Sequence, residues 1–128
     1  MLVVRNANPI DYNRLCNQTV TVYRKVEENS NASYIRTVYK KAFLDFQNTV
    51  SVDQLGATES VSFLLVIPGS VQAVYPGDKV FLGDGPEIPS GDFWAKEFIP
   101  SKVHGLVVVK YADPKYWDGV IVHTEAGG

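Results

Sequence analysis

Residues 19–26 read TVTVYRKV, a run in which polar and apolar side chains alternate. A period of two places Val20 and Val22 on one face of a strand, with Thr21 and Tyr23 on the other. Val, Thr and Tyr also favour extended backbone. The run therefore predicts a β-strand.

A second strand is predicted immediately downstream. The polar residues 27–33 separate the first run from YIRTVYKKAFLDF at residues 34–46, which is aromatic and β-branched. Two such runs predict a hairpin with a long second arm. Apolar side chains occupy both even and odd positions of this arm, so we expect a bend or bulge near Lys40 and Lys41 to switch the buried face. Curvature of that kind can close a barrel.

The rest of the chain alternates short strands with turn signals. Strands are predicted over 49–52, 61–67, 79–82, 103–111 and 119–123, with a turn-like segment at 53–60 and a turn at Asp113-Pro114. The run VSFLLVI at 61–67 is the most apolar and is expected at the core. Residues 1–18 form a leader in which Pro9 can start one helical turn, and residues 85–102 form a long Pro-rich loop. The sequence predicts one mostly β domain over 1–128, a small barrel or sandwich.

Composition narrows the class of protein. Hydrophobic residues make up 45% of the 128, the formal net charge is -2 and there is one cysteine. These values predict a soluble globular chain without an internal disulfide or the basic field that attracts nucleic acid. The N-terminus lacks the plan of a secretion signal, and no run of eighteen apolar residues is present. We expect no membrane insertion and no specific nucleic-acid binding.

Residues capable of chemistry are present, but they are not arranged in a recognised motif. His104 and His123 lack the spacing of a ligand pair, and no nucleophile signature surrounds Cys16. Carboxylates gather in predicted turns, where aspartate commonly bonds to the local backbone; they are Asp78, Asp84, Glu87 and Asp92. We therefore predict no catalytic, cofactor-binding or metal-binding residue and no enzyme activity, with a small enzyme using these acids or a histidine as an alternative.

Basic and aromatic side chains also interleave along the first two strands. On a barrel face they could hold single-stranded nucleic acid, although the net charge argues against it. They are Arg24, Lys25, Arg36, Lys40 and Lys41 with Tyr23, Tyr34 and Tyr39.

The candidate interface residues lie in the two long interruptions between strands and near the C-terminus. Trp94 and Phe98, in an irregular segment, are expected either to plug the end of a barrel or to contact a neighbouring subunit. The full set is Asp53, Gln54, Leu55, Glu59, Phe93, Trp94, Phe98 and Trp117. An alternative is a carbohydrate-binding module in which Trp94, Trp117 and Tyr116 form a stacking platform.

Residues 19–83, about half of the chain, resemble the small head-tail joining (head-closure or stopper) proteins of tailed bacteriophages and related prophage minor capsid proteins. The resemblance rests on the alternating strand ending in Arg24-Lys25, the long aromatic strand, the hydrophobic strand 61–67, and Gly77-Asp78-Lys79-Val80 before Gly83. After Gly83 the Pro-rich segment departs from the family pattern.

The resemblance implies a non-catalytic subunit of head completion or head–tail connection. Such a subunit would form a homo-oligomeric ring between the portal adaptor and the tail components. It would be made in the host bacterial cytoplasm and then become part of the virion.

Overall fold

The computed structural model describes the backbone of residues 8–53 and 56–128 and the side chains of residues 8–47 and 62–128. The fold is mostly β, as predicted. A helical turn, α1, is followed by seven strands and one π-helical turn: α1 Tyr12–Leu15, β1 Gln18–Glu28, β2 Asn31–Asp53, β3 Gly56–Pro68, β4 Lys79–Leu82, the π-helical turn Phe93–Glu97, β5 Leu106–Val108, β6 Tyr111–Trp117 and β7 Val120–Gly127. Within the described chain these strands form one antiparallel sheet in the order β5-β4-β1-β2-β3-β7-β6.

Strand β2 bends and belongs to two halves of this sheet. Its first part pairs with β1 as far as Ala42, and its second part pairs with β3 from Phe43 onward. Between Tyr39 and Ala42 the register shifts by one extra residue on β2, which confirms the bulge predicted at Lys40 and Lys41. Half A consists of β5, β4, β1 and the first part of β2; half B consists of the second part of β2 with β3, β7 and β6.

The two halves enclose one hydrophobic core. Val20 and Val22 of β1 are buried there with Leu65 and Ile67 of β3 and Val80 of β4. The sheet is not closed, because β5 and β6 remain at its two ends in the described chain. The architecture therefore agrees with the sandwich rather than with the closed barrel, and β3 occupies the core position predicted for the run 61–67.

A second cluster covers the outer face of half A. Tyr23 points away from the main core, and Trp94 and Phe98 of the Pro-rich loop pack on it. The ring centres of Tyr23 and Phe98 are 4.7 Å apart in an edge-to-face arrangement. Residues 85–102 are thus free of strand, as predicted, but they are folded tightly onto the sheet.

Two turn predictions are wrong. Residues 49–52 lie in a strand, as predicted, but residues 56–60, where a turn was expected, belong to β3 and pair with β2, with Gly56 opposite Asp53. Asp113-Pro114 lies inside β6 instead of turning the chain, and a proline is tolerated there because β6 is an edge strand. The turn comes later, at Asp118-Gly119, where both residues have positive φ.

The predicted N-terminal helical turn is confirmed and begins later than Pro9. Asp11 caps it, because the aspartate side chain accepts a hydrogen bond from the Arg14 amide. Among the described residues, no helix has the length and apolar character needed to cross a membrane.

Candidate functional site

The most prominent surface feature is a two-stranded projection, which we call the ribbon, made of residues 47–53 and 56–62. Strand β1 accompanies β2 only to Ala42, and β7 accompanies β3 only from Leu64. Beyond these points β2 and β3 have only each other as strand partners in the described chain. At about 3.4 Å per residue, seven residues on each strand give a ribbon roughly 24 Å long.

The backbone of the ribbon makes it suited to pairing with another strand. Isolated two-stranded hairpins are marginally stable in water. Both outer edges of the ribbon carry backbone amides and carbonyls without a strand partner inside the described chain. Such edges are ready to pair with another strand. The ribbon is therefore the best candidate for contact with another molecule.

A second feature, which we call the mouth, lies at one end of the sandwich and consists of Arg24, Tyr75 and Asp78. Arg24 Nε lies 3.3 Å from both carboxylate oxygens of Asp78, and Arg24 Nη2 donates to Oδ2 at 3.1 Å. The Tyr75 amide also donates to Asp78 Oδ2, at 2.9 Å. The Arg24 guanidinium stacks 4.2 Å from the centre of the Tyr75 ring. The ion pair therefore holds the Tyr75–Asp78 turn against β1.

Two small cavities meet at the mouth. One, of about 390 Å³, is bordered by Arg24, Lys25 and the turn that carries Tyr75; the other, of about 120 Å³, is bordered by Arg24, Ile35 and Tyr39 among others. The guanidinium that they share is already neutralised by Asp78. Burial raises the pKa of Tyr39, which keeps its phenol protonated. The mouth therefore presents mainly neutral surface to a ligand.

Lys79 is a buried amine on the outer face of half A, opposite the face that carries Arg24. Its Nζ donates to the carbonyl oxygens of Trp94 and Phe98, at 2.6 and 2.7 Å. It also lies 4.3 Å from the centre of the Trp94 ring. Burial lowers the pKa of Lys79 below its ordinary value. Lys79 fastens the π-helical turn to β4, a structural role that its strand position in the sequence did not reveal.

His123 takes part in a hydrogen-bonded chain on the outer face of half B. The hydroxyl of Tyr12 lies 2.6 Å from His123 Nδ1, and His123 Nε2 lies 3.1 Å from a carboxylate oxygen of Glu125. Neither cavity at the mouth is bordered by these three residues. The arrangement joins the N-terminal segment to β7, and its partners are more than a hundred residues apart in sequence.

Asp78 and Asp84, two of the acidic residues clustered in the sequence, lie apart in the structure. Asp78 pairs with Arg24, whereas Asp84 pairs with Arg36, which lies on the opposite face of the β1–β2 pair. Arg36 additionally donates to the Gly85 carbonyl. Within the part of the chain that the structure describes, no three His, Cys, Asp or Glu side chains are grouped as metal ligands. Cys16 is buried, and burial raises the pKa of its thiol.

The predicted interface residues divide into three groups. Trp94 and Phe98 are 9% and 0% exposed because they pack with Tyr23 on the outer face of half A within their own chain, and they do not plug the end of a closed barrel. Burial of Trp94 also removes it from the proposed carbohydrate platform, because it lies in the cluster on half A while Trp117 belongs to β6. Phe93 is half-buried against the same cluster.

Of the remaining interface candidates, Trp117 is the last residue of β6, away from the ribbon, whereas Asp53 and Glu59 belong to the ribbon. Gln54 and Leu55 lie outside the described residues. The ribbon end thus coincides with the segment that the sequence indicated as an interruption, although its strand character was missed.

No family model, curated protein or solved structure matches this chain.

Proposed function

We propose that the chain is a non-catalytic structural subunit of a phage or prophage particle, acting in head completion or head–tail connection, and that it assembles through the ribbon. The observation that carries the proposal is the projection of β2 and β3 beyond the rest of the sheet. A free monomer gains little from a 24 Å extension whose two edges have no strand partner among the described residues. A subunit in an assembly gains an arm that reaches its neighbour.

A ring follows if the ribbon of one copy docks on a different surface of the next copy, as the resemblance of residues 19–83 implies. Contacts between two different surfaces generate closed rings when the rotation between copies closes. A ring with a modest net negative charge would also avoid gripping DNA that passes through it. The resemblance of residues 19–83 adds the expected partners, a portal adaptor and tail components.

The buried polar groups support a structural role. Lys79 fastens the Pro-rich loop, and Asp78 fastens the turn at the mouth. Both make their hydrogen bonds with groups of the chain itself. These residues rigidify the body from which the ribbon projects.

The test is to shorten the ribbon without changing the body. Thr49 faces Ser60 across the hairpin, so residues 50–59 can be replaced by an Asn-Gly two-residue turn. The matched control keeps the full length and carries Gln54→Asn and Leu55→Gly. Circular dichroism and thermal unfolding confirm that both variants retain the fold.

The readout is solution mass by light scattering over a concentration series, with electron microscopy of large species. The wild type and the full-length control should form oligomers of one defined size, and the shortened variant should remain monomeric. Equal assembly by the shortened variant would exclude the ribbon as the contact.

A further inference from the structure

The segment at residues 8–15, which we call the strap, lies on the outer face of half B and is held there by polar contacts. No side chain of α1 is buried. The Tyr12 hydroxyl lies 2.6 Å from His123 Nδ1, and Lys41 Nζ donates a 2.9 Å hydrogen bond to Asn13 Oδ1. A surface segment that buries little apolar area can open locally at a lower free-energy cost than the whole domain.

The hydrogen bonds around His123 have a fixed direction. A carboxylate only accepts, so Nε2 carries a proton and donates to Glu125 at 3.1 Å. In the neutral imidazole Nδ1 is then the acceptor, and the Tyr12 hydroxyl donates to it. At the strap end the Ile10 amide donates to Asn8 Oδ1 at 3.0 Å, while Asn8 Nδ2 donates to the Tyr12 oxygen at 3.1 Å. The whole chain is satisfied when the imidazole is neutral.

Protonation of His123 conflicts with the strap side of this chain. In the imidazolium both ring nitrogens are donors. The new Nδ1 proton points at the Tyr12 oxygen, which already accepts from Asn8, and the Tyr12 hydroxyl proton loses its acceptor. Asn8 cannot turn its Oδ1 toward that proton, because Oδ1 is held by the Ile10 amide. The strap contact is therefore weakened by the added proton.

The body side tolerates the same proton. Glu125 accepts from Nε2 in both protonation states, and its negative charge favours the imidazolium. Lys115 lies opposite His123 in the β6–β7 register and opposes the added charge, but it is paired with Asp113 at 2.7 Å. From β3 the register partner is Pro68, which has no charge. The charged side chains of the strap itself are exposed; they are Asp11 and Arg14. Protonation thus loosens the strap and leaves β7 in place.

We propose that the strap is a pH-sensitive clasp, in which Tyr12 holds the neutral imidazole of His123 and releases it when the imidazole takes a proton from solvent. Histidine is the side chain that ordinarily changes charge between about pH 5 and 8. His123 is 4% exposed with the strap in place, so opening uncovers it together with the adjacent face of half B. The clasp lies within one chain and does not depend on assembly through the ribbon.

The first test is amide hydrogen exchange followed by mass spectrometry at about pH 7.5 and about pH 5, with rates corrected for the intrinsic effect of pH. The amides of Leu15 and Cys16 report on the strap, because they donate to the Asp11 and Tyr12 carbonyls at 3.0 and 2.7 Å. Their protection should fall about tenfold on acidification, while amides of β1 and β4 keep theirs. Unchanged strap protection, or an equal fall throughout the body, would overturn the clasp.

Tyr12→Phe is the matched variant, since it keeps the aromatic ring and removes the hydroxyl. Its strap should be weakly protected at both pH values, and a tenfold pH dependence that persists in this variant would refute the role of the Tyr12–His123 bond.

The second test is an NMR titration of the two histidines in the wild type and in Tyr12→Phe. If the hydroxyl binds the neutral imidazole, its loss should raise the midpoint of the His123 titration by roughly half to one pH unit, the equivalent of an about 3–10-fold change in proton affinity. The exposed His104 is the internal control, and its midpoint should not move. An unchanged or lowered His123 midpoint in Tyr12→Phe would contradict the clasp.

Discussion

Replacing Lys79 by methionine tests how the Pro-rich loop is held on the sheet. The substitution keeps an unbranched side chain of similar length and removes the amine. The carbonyl oxygens of Trp94 and Phe98 then lose the donor that lies 2.6 and 2.7 Å away. Because these carbonyls face a buried site, the substitution leaves them without that hydrogen-bond donor and without water to replace it.

The expected destabilisation follows from two opposing terms. Two hydrogen bonds from a charged donor contribute roughly 3–6 kcal/mol net of the water contacts that they replace. The burial that lowers the pKa of Lys79 reduces this contribution. Methionine also packs well against aromatic rings. We expect a net loss of about 2–4 kcal/mol in the free energy of unfolding.

Urea denaturation followed by Trp fluorescence measures this loss, and Lys96→Met in the same π-helical turn is the control. Lys96 is exposed, so its replacement should change stability by less than about 0.5 kcal/mol. A Lys79→Met chain as stable as the wild type would refute the argument that the amine fastens the loop.

The pH dependence of the free energy of unfolding, compared between the wild type and Lys79→Met, gives a second check. Burial places the pKa of Lys79 in the folded chain below its value in the unfolded chain. Between these two pKa values the unfolded chain binds more protons, so this group makes the free energy of unfolding rise with pH. A neutral amine still has two N–H donors for the two carbonyls. The stability difference between wild type and Lys79→Met should therefore widen as the pH rises from neutral toward about 10, and a narrowing would contradict it.

Two further substitutions test the mouth and a close contact. Asp78→Asn should lower the free energy of unfolding by about 1–2 kcal/mol in chemical denaturation, because it breaks the ion pair between Arg24 and the buried Asp78 carboxylate. The control, Asp113→Asn, breaks an exposed ion pair and should lower the free energy of unfolding by less than about 0.5 kcal/mol. Gly85→Ala should cost about 2–3 kcal/mol, since its Cβ would meet the buried Tyr23 hydroxyl, and a smaller cost in a Tyr23→Phe background would identify that clash. If Gly85→Ala destabilised both backgrounds equally, the clash with the Tyr23 hydroxyl would not be the cause.

Much of the fold was predictable because local signals agreed with the sheet. The alternation at residues 19–26 predicted β1, and β4 begins and ends as predicted at Lys79 and Leu82. The mixed apolar pattern around Lys40 and Lys41 correctly predicted the bulge that divides the two halves of the sheet. The alternation did not predict burial on both faces: residues 20–23 of β1 are all buried, and the cluster formed with the Pro-rich loop covers the face that carries Tyr23.

The first residues of β3 were missed because they lie in a segment whose composition favours turns. Residues 56–60 include glycine, threonine and serine, and their strand structure comes from pairing with β2. The position of Pro114 inside β6 could not be predicted from the neighbouring residues either. A proline is tolerated in this strand because β6 lies at the edge of the sheet.

The contacts of the candidate site join residues that are distant in sequence. Nothing near Tyr12 indicates that His123 accepts its hydroxyl, and nothing near Lys79 indicates the carbonyls that it binds. Trp94 and Phe98 were correctly singled out as anchors, but only the packing on Tyr23 decides that they belong inside the chain.

The most direct test of assembly through the ribbon is the solution mass of the wild type beside that of the ribbon-shortened variant, over the same concentration series. We expect a defined oligomer for the wild type, with rings in electron micrographs, and a folded monomer for the variant. A wild type that stays monomeric throughout, or a variant that assembles equally well, would contradict it.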